Sequence, residues 1–438
     1  MNTCSKGDEN IIKNIAGILS GFNLNIKLFL TRTFILGIYS GIHGVIFNLY
    51  ILELGYREDF LGLMLSITLL ASSLSSIPAG IICDRIGRKR MLVVSSLLSA
   101  LAMLPLLLFV RPEVLLFFSA LTGIFGAFTS VAVSPFLIEN TKKEDSVNVF
   151  SANSSLSWTA TIIGCALGGL MPGIWKHVPA LATMNSYRLT LLVSITLMMF
   201  GWGVLLLIKE DGRGKCNLPP LSIKNMKPSH TAMKFTLITM IVGIGSGMIV
   251  PFFNVYFTKV LSADVLETGL VFSIADVFMV IGFMIIPYMS TRIGRIRSAV
   301  LTQLISIPFL IMMALTTNFM LAAAAYIARM FLMNMAGPAM SSFQMETFKK
   351  SERSFAIGVI STGNSLAVAA STFTAGILMA HGHYLIQYAV TCSAYLIAAV
   401  LLYHYFGRHD KPLIVIKDDN YAGRAATKDH SGEKSPGG

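Results

Sequence analysis

Apolar positions along the chain fall into long unbroken runs separated by short polar breaks. Each run is about 20 residues, the length a helix needs to cross a hydrocarbon core of about 30 Å. Twelve such spans are predicted. The first six lie near residues 33–54, 60–83, 90–110, 113–138, 147–172 and 187–208. After a longer polar break follow 234–258, 266–288, 298–316, 318–343, 354–380 and 384–407. The period-two alternation of barrel strands is absent, so the spans read as helices, which satisfy their backbone polar groups internally as lipid requires. The pattern predicts an all-α polytopic membrane protein. Its segments are an N-terminal stretch 1–32, a six-helix bundle 33–208, a linker 209–233 holding Pro219, Pro220 and Pro228, a second six-helix bundle 234–408, and a tail 409–438 expected to be disordered.

Composition strengthens this reading. The 438 residues are 54% hydrophobic and only 13% charged, and the mean hydropathy is +0.69. A soluble chain carries about a quarter charged residues, so lipid must solvate much of this surface. The net charge of +12 raises nucleic acid as a partner, but its placement argues for topology instead. With the N-terminus in the cytoplasm, 28 of the 34 Lys and Arg residues fall on the cytoplasmic side. Arg57, Arg111, Lys176, Arg188 and Lys259 fall outside, and Arg329 lies within a span. This positive-inside bias predicts both termini in the cytoplasm, an even number of spans, and a multi-pass protein of a prokaryotic cytoplasmic membrane. Residues 9–25 read as an interfacial amphipathic helix or a plain cytoplasmic leader, and no secretory signal is expected. The five Cys, at 4, 83, 165, 216 and 392, have no metal or redox spacing. His381 and His383 are too few for a metal site, and no phosphate-binding Gly-Lys-Ser/Thr loop occurs. No metal, cofactor or enzyme activity is expected.

The two bundles share one ancestor. GIYSGIHGVIFNLY at 37–50 matches GIGSGMIVPFFNVY at 243–256 at seven of fourteen positions, with an offset of 206. GLMLSI at 62–67 faces GLVFSI at 269–274, DRIGRKR at 84–90 faces TRIGRIR at 291–297, and ENTKK at 139–143 faces ETFKK at 346–350, all at offset 207. Six helices per unit keep both units in the same orientation, a parallel repeat about an axis along the membrane normal.

GIICDRIGRKR, Gly80 to Arg90, follows the second span directly. It resembles the signature of the major facilitator superfamily, with Gly80, Asp84, Arg85, Gly87 and Arg88 at its defining positions. A degenerate copy, PYMSTRIGRIR, stands in the 8–9 loop, with Pro287 for the glycine and Thr291 for the aspartate. The resemblance covers about residues 30–408 and implies twelve helices in two bundles that rock in alternating access. It implies that Asp84 meets the N-terminus of helix 11 and that helices 1, 4, 5, 7, 8, 10 and 11 line the cavity. Physically, Gly80 would let another helix approach closely, and an anion such as Asp84 suits a helix N-terminus. Arg88 with Glu139, and Arg292 or Arg295 with Glu346, are the expected gating pairs. The alternative is that these cations only fix topology.

Ionisable groups within spans are functional candidates. Asp276 and Arg329 sit at similar depth in spans 8 and 10, and an ion pair between them is expected because either charge alone is costly to bury. Asp276 is a proton-coupling candidate and Arg329 an anionic-substrate candidate; a permanent structural pair is the alternative. His43, midway along span 1, is a second proton candidate or a neutral interface histidine. Glu53 reads as interfacial. Asn48 and Asn254 are repeat mates at the ends of glycine-rich faces, suited to packing across helices or to substrate binding. Span 5 offers Ser154, Trp158 and Thr161, and span 11 offers Ser361, Thr362, Asn364 and Ser365, as cavity or packing groups. Gly164, Gly168, Gly169 and Pro172 loosely resemble the helix-5 motif of drug–proton antiporters, with the proline displaced. The 24 Met and 28 Phe suit an adaptable apolar cavity or ordinary lipid-facing helices. The expected protein is a monomeric secondary transporter exchanging protons for small amphipathic or drug-like molecules. Uptake or exchange of a small organic anion, and a non-transporting receptor or scaffold, are the alternatives.

Overall fold

The computed structural model describes residues 22–142, 145–177, 185–209, 229–348 and 352–407. Twelve helices in this set are long and apolar enough to cross a membrane. In chain order they are α1 Leu24–Glu53, α2 Glu58–Ile86, α3 Arg88–Leu108, α4 Pro112–Glu139, α5 Ser146–His177 and α6 Ser186–Leu206. Then come α7 His230–Val260, α8 Val265–Ile293, α9 Arg295–Leu315, α10 Phe319–Thr347, α11 Arg353–Ala380 and α12 Tyr384–Leu402. Where the connections are described, as between α1 and α2, α2 and α3, α8 and α9, and α11 and α12, they are short turns. We call the face where α1 begins and α12 ends proximal, and the other face distal.

The first helix starts at Leu24, nine residues before the expected boundary at 33. Lys27 and Arg32 make that stretch look polar, but the apolar residues between them continue one helical face. Arg32, expected in a cytoplasmic leader, is therefore inside a span. Residues 1–21 of the leader, residues 210–228 of the linker and the tail lie outside the described residues.

Proline shapes α7. Pro251 has no N–H, so the helix cannot continue its ladder and tightens over Val250–Phe252. The Gly247 carbonyl, left without that donor, accepts from Thr372 Oγ1 at 3.3 Å. Pro251's own carbonyl accepts from Asn48 Nδ2 at 2.6 Å. Backbone irregularity within a span is thus satisfied by neighbouring helices, as lipid demands.

Within each half, glycine-lined faces bring helices together. A Cβ added at Gly37 would lie 2.5 Å from Ala160 Cβ, joining α1 to α5. One added at Gly243 would lie 2.8 Å from Asn364 Oδ1, joining α7 to α11. The repeat is visible in the bonds as well. Tyr50 donates to the Leu107 carbonyl at 3.1 Å, and its mate Tyr256 donates to the Met313 carbonyl. Both carbonyls belong to the last turn of a helix, where no backbone donor is available.

One apolar cluster at the distal end merges the halves, with Tyr50, Leu61 and Leu115 packed in the same core as Phe252, Phe257 and Tyr326. Toward the proximal end the clusters separate. Phe29, Cys83 and Phe136 form a core within the first half, while Ile286, Ile296 and Leu402 form another within the second.

Candidate functional site

The distal closure is symmetric. Gly62 on α2 abuts Gly376 on α11, where an added Cβ would lie 2.8 Å from the Gly376 Cα. Gly269 on α8 abuts Gly169 on α5, with the corresponding distance 2.7 Å. The offset of 207 that relates the repeats carries Gly62 onto Gly269 and Gly169 onto Gly376. The two seams are therefore the same contact used twice. Lys259 Nζ reaches Glu58 Oε1 at 2.6 Å across the halves, and Arg57 Nη2 donates to the Ala380 carbonyl at 2.7 Å.

Asn48 and Asn254 hold the centre of this closure. Asn48 Nδ2 donates to Asn254 Oδ1 at 3.0 Å, and Asn254 Nδ2 donates to the Val45 carbonyl at 3.0 Å. Both are buried, at 8% and 2% exposure. Their amides are occupied in packing the halves, so in this conformation neither lines a cavity as a substrate ligand. Gly44 has open space at its Cβ position, unlike Gly37 and Gly41 on the same helix, and contributes its carbonyl to Asn254.

Among the described residues, hydrogen bonds between the halves run from the middle of α5 and α8 to the distal face. Ser273 Oγ donates to the Ile162 carbonyl at 2.9 Å, and Cys165 Sγ lies 3.9 Å from Asp276 Oδ2. On the proximal side each half opens into its own cavity. That of the first half has a volume of about 530 Å³ and is lined by α1, α3, α4, α5 and α6, with α2 contributing Leu65 and Thr68. Arg32, His43, Ser96, Ser157, Thr161 and Trp202 are among its walls. That of the second half has about 390 Å³ and includes Gln303, Ser361 and Asn364. Such volumes suit small organic ligands. Trp158 packs edge-on against Phe283 of the other half, with centroids 6.2 Å apart, rather than beside Thr161 in the cavity wall.

The expected ion pair between Asp276 and Arg329 is not formed: it is absent from the ion pairs of the described residues. Equal depth does not fix direction around a helix axis. Asp276 faces α5 across the seam, whereas Arg329 points into its own half. There Nη2 donates to Tyr395 Oη at 2.8 Å, and the guanidinium lies 5.3 Å from the Phe253 ring centre. Arg329 is 2% exposed, and its Nε has no partner. Cation–π contact with desolvated rings offsets about 2 kcal/mol of its burial. His43 stacks on Phe47, with centroids 4.5 Å apart, and its Nε2 is buried without a partner.

The signature motif is assembled within the first half. Arg88, 6% exposed, lies 2.8 Å from Asp84 and 3.1 Å from Glu139, and donates to the Cys83 carbonyl at 3.0 Å. The Glu139 contact is close enough for an ion pair but is not aligned as a hydrogen bond. Gly87 and its mate Gly294 sit at φ 92° and 98°, between helices that turn without a loop. Only glycine adopts that backbone readily, which explains its place in both copies. Arg85 is exposed. In the second half Glu346 pairs with Arg295, at 2.7 Å, whereas Arg292 lies over the Tyr288 ring. Gly80 departs from expectation, since a Cβ there would meet nothing within 4 Å. Asp84 is also 64% exposed. Both follow from the parted proximal side, which leaves this end of α2 without a partner helix from the other half.

Arg32 is the wall residue that sequence reasoning missed. It is 3% exposed, donates to Ser96 Oγ at 3.1 Å, and has a partnerless Nε. The available signal was its spacing: Arg32, Leu36, Tyr39 and His43 share one helical face.

Comparison with known proteins agrees with this architecture. The family profile described as Major Facilitator Superfamily matches residues 29–223 and 235–425. The chain is 25% identical over 289 residues to the multidrug resistance protein MdtG of Proteus mirabilis (strain HI4320), covering 62% of this chain and 68% of that protein. It is 28% identical over 203 residues to MdtG of Rahnella sp. (strain Y9602), covering 45% and 47%. The latter match spans less than half of that relative. The structure of the nucleoside transporter NupG superposes with TM-score 0.70 at 12% identity, covering 87% of this chain and 99% of that one. A bacterial homologue of the lysosomal transporter Spinster, inward-facing and unoccupied, gives 0.67 at 12%, covering 86% and 94%. These structural likenesses establish the fold. With a profile match across both halves, the chain belongs to the major facilitator superfamily, a family of transporters and not of enzymes.

Proposed function

We propose that this protein is a secondary active transporter that expels small amphipathic or drug-like molecules in exchange for protons. The observation that carries the reading is the pair of repeat-related glycine seams. They close the distal face while the proximal cavities stand open. Rocking about the middle would exchange the two arrangements, which is alternating access. The excess of Lys and Arg at the proximal face supports a cytoplasmic location for it, and with that orientation this conformation loads from inside. The cavity walls mix Phe29, Leu36 and Met103 with serine and threonine hydroxyls, a surface for molecules with an apolar body. The name of the MdtG relatives supports export.

Proton exchange is assigned to Asp276. It lies at the moving seam, beside Cys165 and without a paired cation among the described residues. In proteoliposomes loaded with an amphipathic fluorescent dye, an imposed pH gradient is expected to drive dye movement. Asp276→Asn should remove the dependence on the gradient while the protein remains folded. Unchanged coupling in that variant overturns the assignment. Arg329 favours a second reading, exchange of a small organic anion, because it is a buried cation with neutral partners only.

A further inference from the structure

The first-half cavity has an unusual charge balance. Arg32 projects into its wall, and no aspartate or glutamate is among the described residues that line it. The guanidinium has one hydrogen bond, to Ser96 Oγ, and lies 5.4 Å from the Phe29 ring centre. Its Nε, fully buried, has no partner. A buried cation without a counter-charge is costly, and five fixed donors with one occupied leave a fork suited to an oxyanion.

The equivalent part of the second half is built without such a charge. The repeat places Ile238 at its position in the second half and Gln303 at that of Ser96. The second-half cavity forms with these residues and has no charged residue among its described lining. The positive charge is an addition to a scaffold that packs without it. Farther along the same cavity, Leu36, Phe47, Met103, Leu106 and Met198 give an apolar wall.

Resting on the transport reading above, we propose that this cavity binds amphipathic organic anions. A carboxylate or sulfonate head would pair with Arg32, and the apolar body would lie along α1 toward His43 and Phe47. The preferred substrates are thus lipophilic acids, not lipophilic cations.

Calorimetric titration of the full chain in lipid nanodiscs tests this with three ligands on one skeleton: 4-phenylbutyrate, 4-phenylbutanamide and 3-phenylpropyl-trimethylammonium. The carboxylate is expected to bind at least about tenfold tighter than the other two, the ratio a charge-assisted hydrogen bond supplies. Arg32→Gln should erase that preference, and Arg32→Lys should retain part of it. Equal affinities in the wild-type protein, a measurement that needs no variant, overturn the proposal. So does an undiminished preference for the carboxylate in a folded Arg32→Gln. Carboxylate-selective binding without any flux supports this site and removes the transport reading. Flux of the cation without carboxylate selectivity overturns this site and leaves the transport reading standing.

Discussion

Replacing Gly62 by alanine should open the distal face. The added methyl would lie 2.8 Å from the Gly376 Cα, 3.0 Å from the Thr372 carbonyl oxygen and 3.2 Å from the Gly376 nitrogen. Carbon atoms in ordinary contact stand about 3.5–4.0 Å apart, so the methyl crowds three backbone atoms of α11. Backbone cannot rotate away as a side chain would, and the helices α2 and α11 must separate. Overpacking of this kind costs about 1–3 kcal/mol. On the proposed alternating-access cycle the cost falls on the distal-closed conformation alone, because parting the seam would leave the methyl in open space. The equilibrium should then move by about 5- to 150-fold toward the distal-open form. Pulsed electron resonance between spin labels at Arg111→Cys and His381→Cys, two exposed residues of the distal face in different halves, would read the shift in a background without native cysteines. A longer-distance population should grow in Gly62→Ala. Its repeat mate, Gly269→Ala, should act in the same direction. Gly80→Ala is the contrast, since its Cβ has open space in this conformation. If Gly62→Ala and Gly80→Ala give the same distance distribution as the parent, the seam is not the moving contact and the reasoning fails.

Two further outcomes follow from the charges at the proximal face. Arg88→Ala removes both ion pairs of a buried guanidinium and leaves Glu139, one-third exposed, without its partner. It should destabilise the folded protein by about 1–3 kcal/mol in thermal unfolding, whereas the exposed Arg85→Ala should stay within about 0.5 kcal/mol. Double-mutant cycles against Glu346→Gln should give a coupling of about 0.5–1 kcal/mol with Arg295→Gln and close to none with Arg292→Gln. Equal couplings would mean that Glu346 does not choose between them.

Much of the fold is legible in the sequence because lipid makes span length and apolarity nearly sufficient conditions. The repeat was legible too, and it was more informative than the motif. Gly62 and Gly269 open the matching GLMLSI and GLVFSI segments, and the offset that aligns them also pairs Gly169 with Gly376. What the sequence could not supply is which of these glycines touch, since contacts between halves depend on the conformation adopted. Gly80 shows the reverse case, a motif glycine whose expected close approach is absent with the proximal side parted. Arg32 was hidden by its neighbour Lys27, which made a buried helical turn look like a leader. The Asp276–Arg329 pair is expected from depth along the spans, but depth does not fix direction around the helix axis. Arg329 found Tyr395 and Phe253 in its own half.

The claim that the halves rock about a middle pivot is tested most directly by measuring both faces of one molecule. Distances would be taken across the distal pair, Arg111→Cys with His381→Cys, and across a proximal pair of exposed residues outside the ion pairs, Arg85→Cys with Thr347→Cys, in parent and Gly62→Ala proteins. The expected result is opposition: as the distal distance lengthens in Gly62→Ala, the proximal distance shortens. A distal face that opens while the proximal distance stays fixed, or lengthens with it, would contradict alternating access in this protein.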